Sequence, residues 1–500
     1  MLRKRLLPWY LMTIATLLLN LVMPKPAAAA GTVGDGTPGS CTEAALDTAL
    51  IGGGLVSFNC GPDPVTITFT GEKTILEDTT IDGGNLIILS GGNTIRPFTV
   101  EFSNTLNLKN LTLTNGNASP GGAIYNNGIV NITNVSLTDN LSPLGNAGGI
   151  YNYGALTITN SVLSNNIASA GLAGAIDNMG TMTIENSTLG SNFSGMMGGG
   201  LINSGTATII SSTFTTNQAL IAGAIYNHGL MTIIKSDFID NTTTSGGGAG
   251  IFNDNNLSLY TSTFSGNTTS AGSKGGGLYN MVGALALVSR SSFINNGAPG
   301  GFGGGIANEG LINIVADVFS GNYSSAGLGG GVYSSTTHPT VITNSTFSSN
   351  FGGLAGGGLY ISGTAIILNS TFYNNSPDGL ANNDTGEVNI KNIILASNSP
   401  VNCQGTTVSS QGYNLEDGVT CALSGPGDQS NTNPLLGPLA DNGGPTLTHA
   451  LLYGSPAINA VSNNSCPLTD QRGVKRPLFG TCDIGAYEYG FLIRLPLIGK

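Results

Sequence analysis

Charge is scarce in this chain of 500 residues: only 9% are Asp, Glu, Lys or Arg. The 16 basic residues face 27 acidic ones, a net charge of −11. That balance excludes the basic face a phosphate backbone requires, so no nucleic acid is expected as a partner. Strong helix formers are in the minority. Glycine alone supplies 76 residues, and Asn, Ser and Thr are abundant, which excludes a body built from long helices. Apolar runs long enough to cross a membrane are lacking after residue 23. A chain so polar and glycine-rich would fit disorder if its apolar residues were scattered. They are strictly periodic instead.

Residues 121–126 read Gly-Gly-Ala-Ile-Tyr-Asn, and the Ile position recurs at Ile150, Ile176, Leu201, Ile225, Ile251, Leu278, Ile306, Val332 and Leu359. Eleven residues after Asn126 comes Leu137 and, past two free positions, Asn140. That pair recurs at Leu163/Asn166, Leu189/Asn192, Phe214/Asn217, Phe238/Asn241, Phe264/Asn267, Phe293/Asn296, Phe319/Asn322, Phe347/Asn350 and Phe372/Asn375. Ten copies, at a period of 24 to 28 residues measured at the Ile position, mean a solenoid or a propeller. A propeller blade needs about 40 residues and four strands, and a leucine-rich repeat needs its Leu-x-x-Leu-x-Leu pattern. Neither fits. Within a copy, Gly149 to Asn152, Leu156 to Ile158 and Ser161 to Leu163 read as three short strands, and length varies almost wholly in the glycine-rich loop. The expected fold is an all-β, right-handed parallel β-helix of about ten regular coils plus several irregular ones, a rod of about 48 Å over the regular part.

Stacking then places equivalent residues above one another. Leu137 to Phe372 form an internal column, and Asn140 to Asn375 an asparagine ladder. A second ladder runs from Asn126 through Asn152, Asn178, Asn203, Asn227, Asn253, Asn280 and Asn308, lapsing at Ser334 and Ile361. Beside the buried Ile column, and pointing the other way, lie Tyr125, Tyr151, Tyr226, Phe252, Tyr279, Tyr333 and Tyr360, interrupted by Asp177, Ile202 and Ala307. Such a stripe either tightens the contact between coils or stacks on the sugar rings of an extended glycan.

Arg3-Lys-Arg5, the apolar stretch 6–23 and Ala28-Ala-Ala30 form a secretion signal with a cleavage site; a single membrane anchor is the alternative. Cleavage after residue 30 removes Arg3, Lys4, Arg5 and Lys25 and leaves 12 bases against 27 acids, a net charge of −15. Residues 31–62 read as an N-terminal cap carrying a short helix from Glu43 to Ile51. The β-helix occupies 63–400, with regular repeats over 121–375. Residues 401–490 hold the last coils and a small cap, and 491–500 an apolar tail, read as an extended segment on the last coil or as a docking peptide. The six cysteines form three sequence-local pairs, Cys41/Cys60, Cys403/Cys421 and Cys466/Cys482. In an exported chain they read as structural disulfides stapling the two ends, paired in sequence order, rather than as zinc ligands.

Catalysis on such a rod needs clustered groups: a calcium cage with a base for a lyase, or paired carboxylates for a glycosidase. In the repeats the acids are Asp139, Asp177, Glu185, Asp237, Asp240, Asp254, Glu309 and Asp317, and the bases Lys235, Lys274 and Arg290. No two acids share a repeat position in adjacent coils. Each therefore reads as a solvated charge, and His228 and His338 as isolated turn residues. No catalytic residue, metal or cofactor is assigned, calcium entering only if the chain is a lyase. Near the C-terminus Asp470, Arg472, Arg476, Asp483 and Glu488 gather rare opposite charges, read as buried ion pairs closing the cap over the last coil, or as a recognition site for an export partner.

The Gly-Gly-Ala-Ile and Phe-x-x-Asn repeats resemble those of the polymorphic outer-membrane proteins and, more broadly, the pectin-lyase-like β-helix superfamily, over roughly residues 60–400. The runs 433–450, Gly454-Ser-Pro-Ala-Ile458, Asp470-Gln-Arg-Gly473, Arg476-Pro477 and Cys482-Asp-Ile-Gly-Ala-Tyr-Glu488 resemble the choice-of-anchor Q domain. Residues 40–44, Ser-Cys-Thr-Glu-Ala, are distantly similar to a domain named for Cys-Ser-Leu-Arg-Glu-Ala, without its Leu-Arg pair. The resemblance implies a secreted or surface-displayed bacterial protein with no shared catalytic activity. Two departures are the missing β-barrel translocator and the missing C-terminal hydrophobic span. Three functions are compatible with these features: an adhesin-like structural rod that turns nothing over, a polysaccharide-binding rod using the tyrosine stripe, or a polysaccharide lyase or hydrolase. The expected partners are extracellular polysaccharide or cell-surface proteins.

Overall fold

The computed structural model describes residues 31–383, 386–405, 408–462 and 466–490. Residues 1–30, read above as a secretion signal, and residues 491–500, read as an apolar tail, lie outside them. The chain winds into a parallel β-solenoid. Its three-residue strands stack into a 14-stranded sheet that runs from Lys73–Ile75 to Val401–Gly405, and the five- and three-residue strands next in each coil form a second, longer parallel sheet. Register is strict: Ile150 pairs with Ile124 and Ile176, and Leu163 with Leu137 and Leu189.

Each coil turns at residues with left-handed backbone. The early strand Ile129–Thr138 bends at Asn134 (φ 54°); one coil later the same position is Asn160 (φ 50°), and the strand has divided into Ala155–Thr159 and Val162–Ser164. A second such corner falls at Asp139, Asn165, Ser191 and their successors, and a third in the glycine-rich loop at Gly121, Ala147, Ala173 and Gly198. Short polar side chains and glycine tolerate that conformation, which is why Asn and Gly crowd the sequence at a fixed period. The glycine after the Ile-Tyr-Asn strand is required for a further reason. A Cβ at Gly229 would meet the Gly205 carbonyl oxygen of the previous coil at 2.1 Å.

Inside, the expected columns are present. Six successive phenylalanine pairs from Phe214 to Phe372 stack with centroids 4.5–5.1 Å apart and planes within 11°. Both asparagine ladders are continuous. Asn126 Nδ2 donates to Asn152 Oδ1 at 2.6 Å, and the chain of amides ends at the Ser334 hydroxyl, 3.0 Å from Asn308 Nδ2. The other runs from Asn140 to Asn375 and one rung further, to Asn398. Every ladder amide is buried, so each bond replaces water that cannot enter. A third polar column was not expected. Ser187, Ser212, Ser236, Ser262 and Ser291 each accept the backbone N–H of the serine one coil below, and Ser161 accepts that of Val135.

The two ends are finished differently. At the N-terminus the helix Glu43–Leu50, capped by Thr42, buries Leu46 and Ala49 on the first coil, and Cys41 is bonded to Cys60. Lys73 reaches back to Glu43 and Asp47, 2.7 Å from each. Burial works to raise the Glu43 carboxyl, but the bonds from Lys73, Thr70 and Gly71 outweigh it and hold the group down at about 2. At the other end the remaining cysteines also pair in sequence order, Cys403 with Cys421 and Cys466 with Cys482. The last rungs are Ser409–Ser410 and Leu415–Glu416, and Val408 and Cys421 complete the core there. The stapled segment 433–490 does not sit over that end. It folds back along the flank, where Thr446 donates to Ala316 O, Gln471 to Asp317 O, and Asn344 and Ser348 meet Thr469 and His449. Ala486 N reaches Thr371 and Gly485 N reaches Asn392. The reason is physical: 408–432 already cover the open coil, while on the flank the outward Ile394 and Ala396 pack with Leu451, Ala457, Val461 and Ile484, and Thr346, Ser348 and Thr371 take polar partners from the same segment.

Candidate functional site

The tyrosine stripe is the middle column of the three-residue strands. In the strand Ile225–Asn227 burial alternates, so Ile225 and Asn227 face in while Tyr226 stands half outside. Register brings Tyr125 beside Tyr151, Tyr226 beside Phe252, Phe252 beside Tyr279, and Tyr333 beside Tyr360, and separates these groups at Asp177, Ile202 and Ala307. Most adjacent rings stack: Tyr226 on Phe252 at 5.1 Å and 18°, Tyr333 on Tyr360 at 5.7 Å and 8°. Phe252 meets Tyr279 edge-on at 4.8 Å. Ring faces are thus largely spent on one another, while edges and hydroxyls reach the surface. Tyr151 is the most buried of the set, at 8% exposure.

The hydroxyls are organised. Tyr226 Oη donates to Asp254 Oδ2 at 2.6 Å, and His228 Nδ1 lies 2.9 Å from Asp254 Oδ1. Tyr279 Oη donates to Glu309 Oε2 at 2.6 Å, and Lys274 Nζ bonds Glu309 Oε1 at 2.5 Å with the Tyr279 ring 5.7 Å away. Each is a rung of ring, carboxylate and basic side chain, and burial together with the neighbouring carboxylate pushes both tyrosine hydroxyls up in pKa. At the lower end Arg96 lies 5.2 Å from the Tyr125 ring and bonds Glu72 and the carbonyls of Pro120 and Gly121.

These rungs correct the sequence reading of the charges. Asp254 and Glu309 are mostly buried and paired rather than solvated, and His228 is partnered, because a side chain reaches the coil above as well as its own column. Asp177 and Asp317 are fully buried. Burial raises Asp177 to about 6, with Asn146 Nδ2 as its hydrogen-bond donor at 2.8 Å. Asp317 stands in the serine column, its oxygens accepting from Ser291 N and Val315 N.

The C-terminal charges turn inward. Asp470 accepts from the backbone of Arg472, Val474 and Glu488 and pairs with the Arg472 guanidinium at 2.7 Å, while Arg472 lies 3.5 Å over the Tyr487 ring. Arg476 donates to the carbonyls of Asp483 and Gly485 and faces Glu488 at 3.6 Å. Glu488 in turn accepts from Leu478 N and Asp483 N. This network frames the clasp's own loops. Gln471, between Asp470 and Arg472, and buried His449 are among its contacts with the rod, and neither could be singled out by charge or periodicity.

No protein-family model matches the chain, and no curated protein matches it. Among solved structures it is similar to the Azotobacter vinelandii Mannuronan C-5 epimerase AlgE6 A-module, at 13% identity over 76% of this chain and 97% of that one, with a TM-score of 0.30. A likeness that low carries no functional argument.

Among the described residues no three His, Cys, Asp or Glu side chains are placed to hold a metal ion. The His228–Asp254 pair has the form of a base and its orienting carboxylate. Ser204 precedes His228 in the same turn column, each backbone N–H bonding the ladder asparagine of the coil before, yet no described hydrogen bond joins the Ser204 hydroxyl to that imidazole. Among the described residues no helix is long and apolar enough to cross a membrane.

Proposed function

We propose that this chain is an exported, adhesin-like β-helical rod that binds polysaccharide along the aromatic corner and does not transform it. The reading rests on the two rungs at Tyr226/Asp254 and Tyr279/Glu309, where ring edges, carboxylates and basic groups converge on one surface line. Sugars are held by that combination, apolar contact with their C–H faces and paired acceptors for their hydroxyls. Three disulfides fit an oxidising extracellular setting, and the repeat type of the polymorphic outer-membrane proteins and a choice-of-anchor Q-like clasp complete the proposal. The test is a polysaccharide array probed with the wild type and with Tyr226→Ala/Tyr279→Ala. Loss of binding in the double variant is expected; binding that survives it removes the stripe from the function. Cell fractionation with surface proteolysis tests export and display.

The second reading, a lyase or hydrolase, is favoured by the His228–Asp254 pair alone. Release of unsaturated or reducing ends from a polysaccharide panel, with and without calcium, would replace the binding proposal.

A further inference from the structure

The two rungs are not merely alike; they are two coils apart. Tyr226 pairs in register with Phe252, and Phe252 with Tyr279, so the rungs are displaced by two steps of about 4.8 Å, about 10 Å along the rod axis. The carboxylates keep the same interval, since Asp254 and Glu309 each belong to the coil above their tyrosine. Phe252, on the coil between, offers a ring without a hydroxyl. The surface line therefore alternates polar rung, apolar ring, polar rung.

We infer that this line reads a linear β-1,4-linked glycan lying parallel to the rod, one disaccharide per two coils. In an extended β-1,4 chain successive sugars flip, so the same hydroxyl face returns every second residue, over about the length that separates the rungs. The chemistry of each rung selects further. Asp254 and Glu309 have two carboxylate oxygens each, about four lone-pair sites. A tyrosine hydroxyl and one basic group occupy part of that capacity, and the remaining lone pairs accept from hydroxyls or amides of a sugar. A polyuronate would set its own carboxylates against these two and against a mature chain of net charge −15, so the ligand class is a neutral hexose or N-acetylhexosamine polymer. This rests on the binding function proposed above and adds to it the repeat length, the direction and the charge of the ligand.

The test uses the full chain and titration calorimetry with β-1,4-linked N-acetylglucosamine and glucose oligosaccharides of two, four and six sugars, and with a β-1,4-linked oligouronate of the same lengths. A tetrasaccharide spans both rungs, so its affinity should exceed that of the disaccharide by about tenfold or more, through the second, intramolecular contact. Asp254→Asn and Glu309→Gln should each abolish that step, and Glu185→Gln, elsewhere on the rod, should preserve it. Unchanged thermal unfolding of the isosteric variants shows that the rod is intact. Neutral-glycan binding with no length step, or a step that survives both variants, overturns the disaccharide register while leaving a glycan-binding rod; preference for the β-1,4-linked oligouronate overturns the charge assignment. Absence of binding to any glycan overturns the binding function itself.

Discussion

Replacing Asp317 by serine should make the rod more stable at neutral pH, although it deletes a hydrogen bond seen in the structure. Asp317 interrupts a column of serines. Ser291 N donates to its Oδ1 at 2.6 Å and Val315 N to its Oδ2 at 2.8 Å, while its own N–H donates to Ser345 Oγ at 3.2 Å. The side chain is fully buried, no described cation pairs with it, and burial raises its pKa well above the usual carboxylate range. A serine at 317 would accept Ser291 N as the other rungs do and donate to the Val315 carbonyl, as Ser291 does to Ser289 O. Removing an uncompensated buried charge is worth about 1–4 kcal/mol, and the lost bond to Val315 N costs about 1 kcal/mol. The net gain is therefore about 0–3 kcal/mol.

The pH dependence gives the sharper check. A raised folded-state pKa means that the folded chain holds this proton more tightly than the unfolded chain, whose value is about 3.9. The Asp317 contribution is thus fully present below about pH 4 and is lost as pH rises toward the folded-state value. Urea unfolding of wild type and Asp317→Ser at pH 5 and pH 8, compared pairwise, cancels the other titrating groups. The advantage of the serine should grow with pH. Asp317→Asn should lie below Asp317→Ser, since its Nδ2 would face a backbone N–H donor. A serine variant less stable than wild type at pH 8, or a gain that shrinks from pH 5 to pH 8, would refute the account.

Asn241 lies mid-ladder: its Nδ2 donates to Phe214 O and Asn267 Oδ1, and its Oδ1 accepts from Asn217. Asn241→Ala strands several buried groups and should cost about 3–5 kcal/mol in urea unfolding. Gln471→Ala removes bonds to Asp317 O, Thr446, Leu447 O and Thr346, so limited proteolysis should open 433–490 while the repeats stay resistant. Burial lowers the pKa of His449, whose ring bonds Gly437 O and Ser348, so its contribution is present above about pH 6.5 and lost as pH falls below it. Hydrogen exchange in 433–451 should accelerate at pH 5 relative to pH 8, and His449→Gln should abolish that difference.

Periodicity made the rod legible because stacking repeats one environment in every coil. Ile124, Asn126, Leu137 and Asn140 each belong to a column whose burial and partner recur, so ten copies vote on the same position. The serine column escaped because serine is common everywhere in this chain and no apolar contrast marks it. The rungs escaped for a different reason. Tyr226 to Asp254 and Tyr279 to Glu309 are diagonal contacts, from one column to the next column of the coil above, and the comparison of like with like along a column is blind to diagonals.

The clasp marks where repetition itself becomes the obstacle. Thr213 and Thr263 occupy the positions of Thr346 and Thr371, with the same residue type and the same outward direction. Yet Thr346 and Thr371 are buried and bonded to Gln471 and Ala486, while Thr213 and Thr263 remain half-exposed. At these threonines nothing local distinguishes a covered coil from a bare one, although Val318 and Ile394 in the same outward column are apolar and buried. The choice is made by chain length: the polypeptide between the last rung at Glu416 and Asn433 first closes the open coil, and the segment beyond Asn433 can reach only the flank of the nearest coils. A clasp tethered in that way is predicted to keep its place by short-range contacts such as Gln471 with Thr346. Transplanting its partner pattern, Thr-Phe-Ser, to lower coils should therefore not move it, and hydrogen exchange at Thr213 in such a variant should match the wild type.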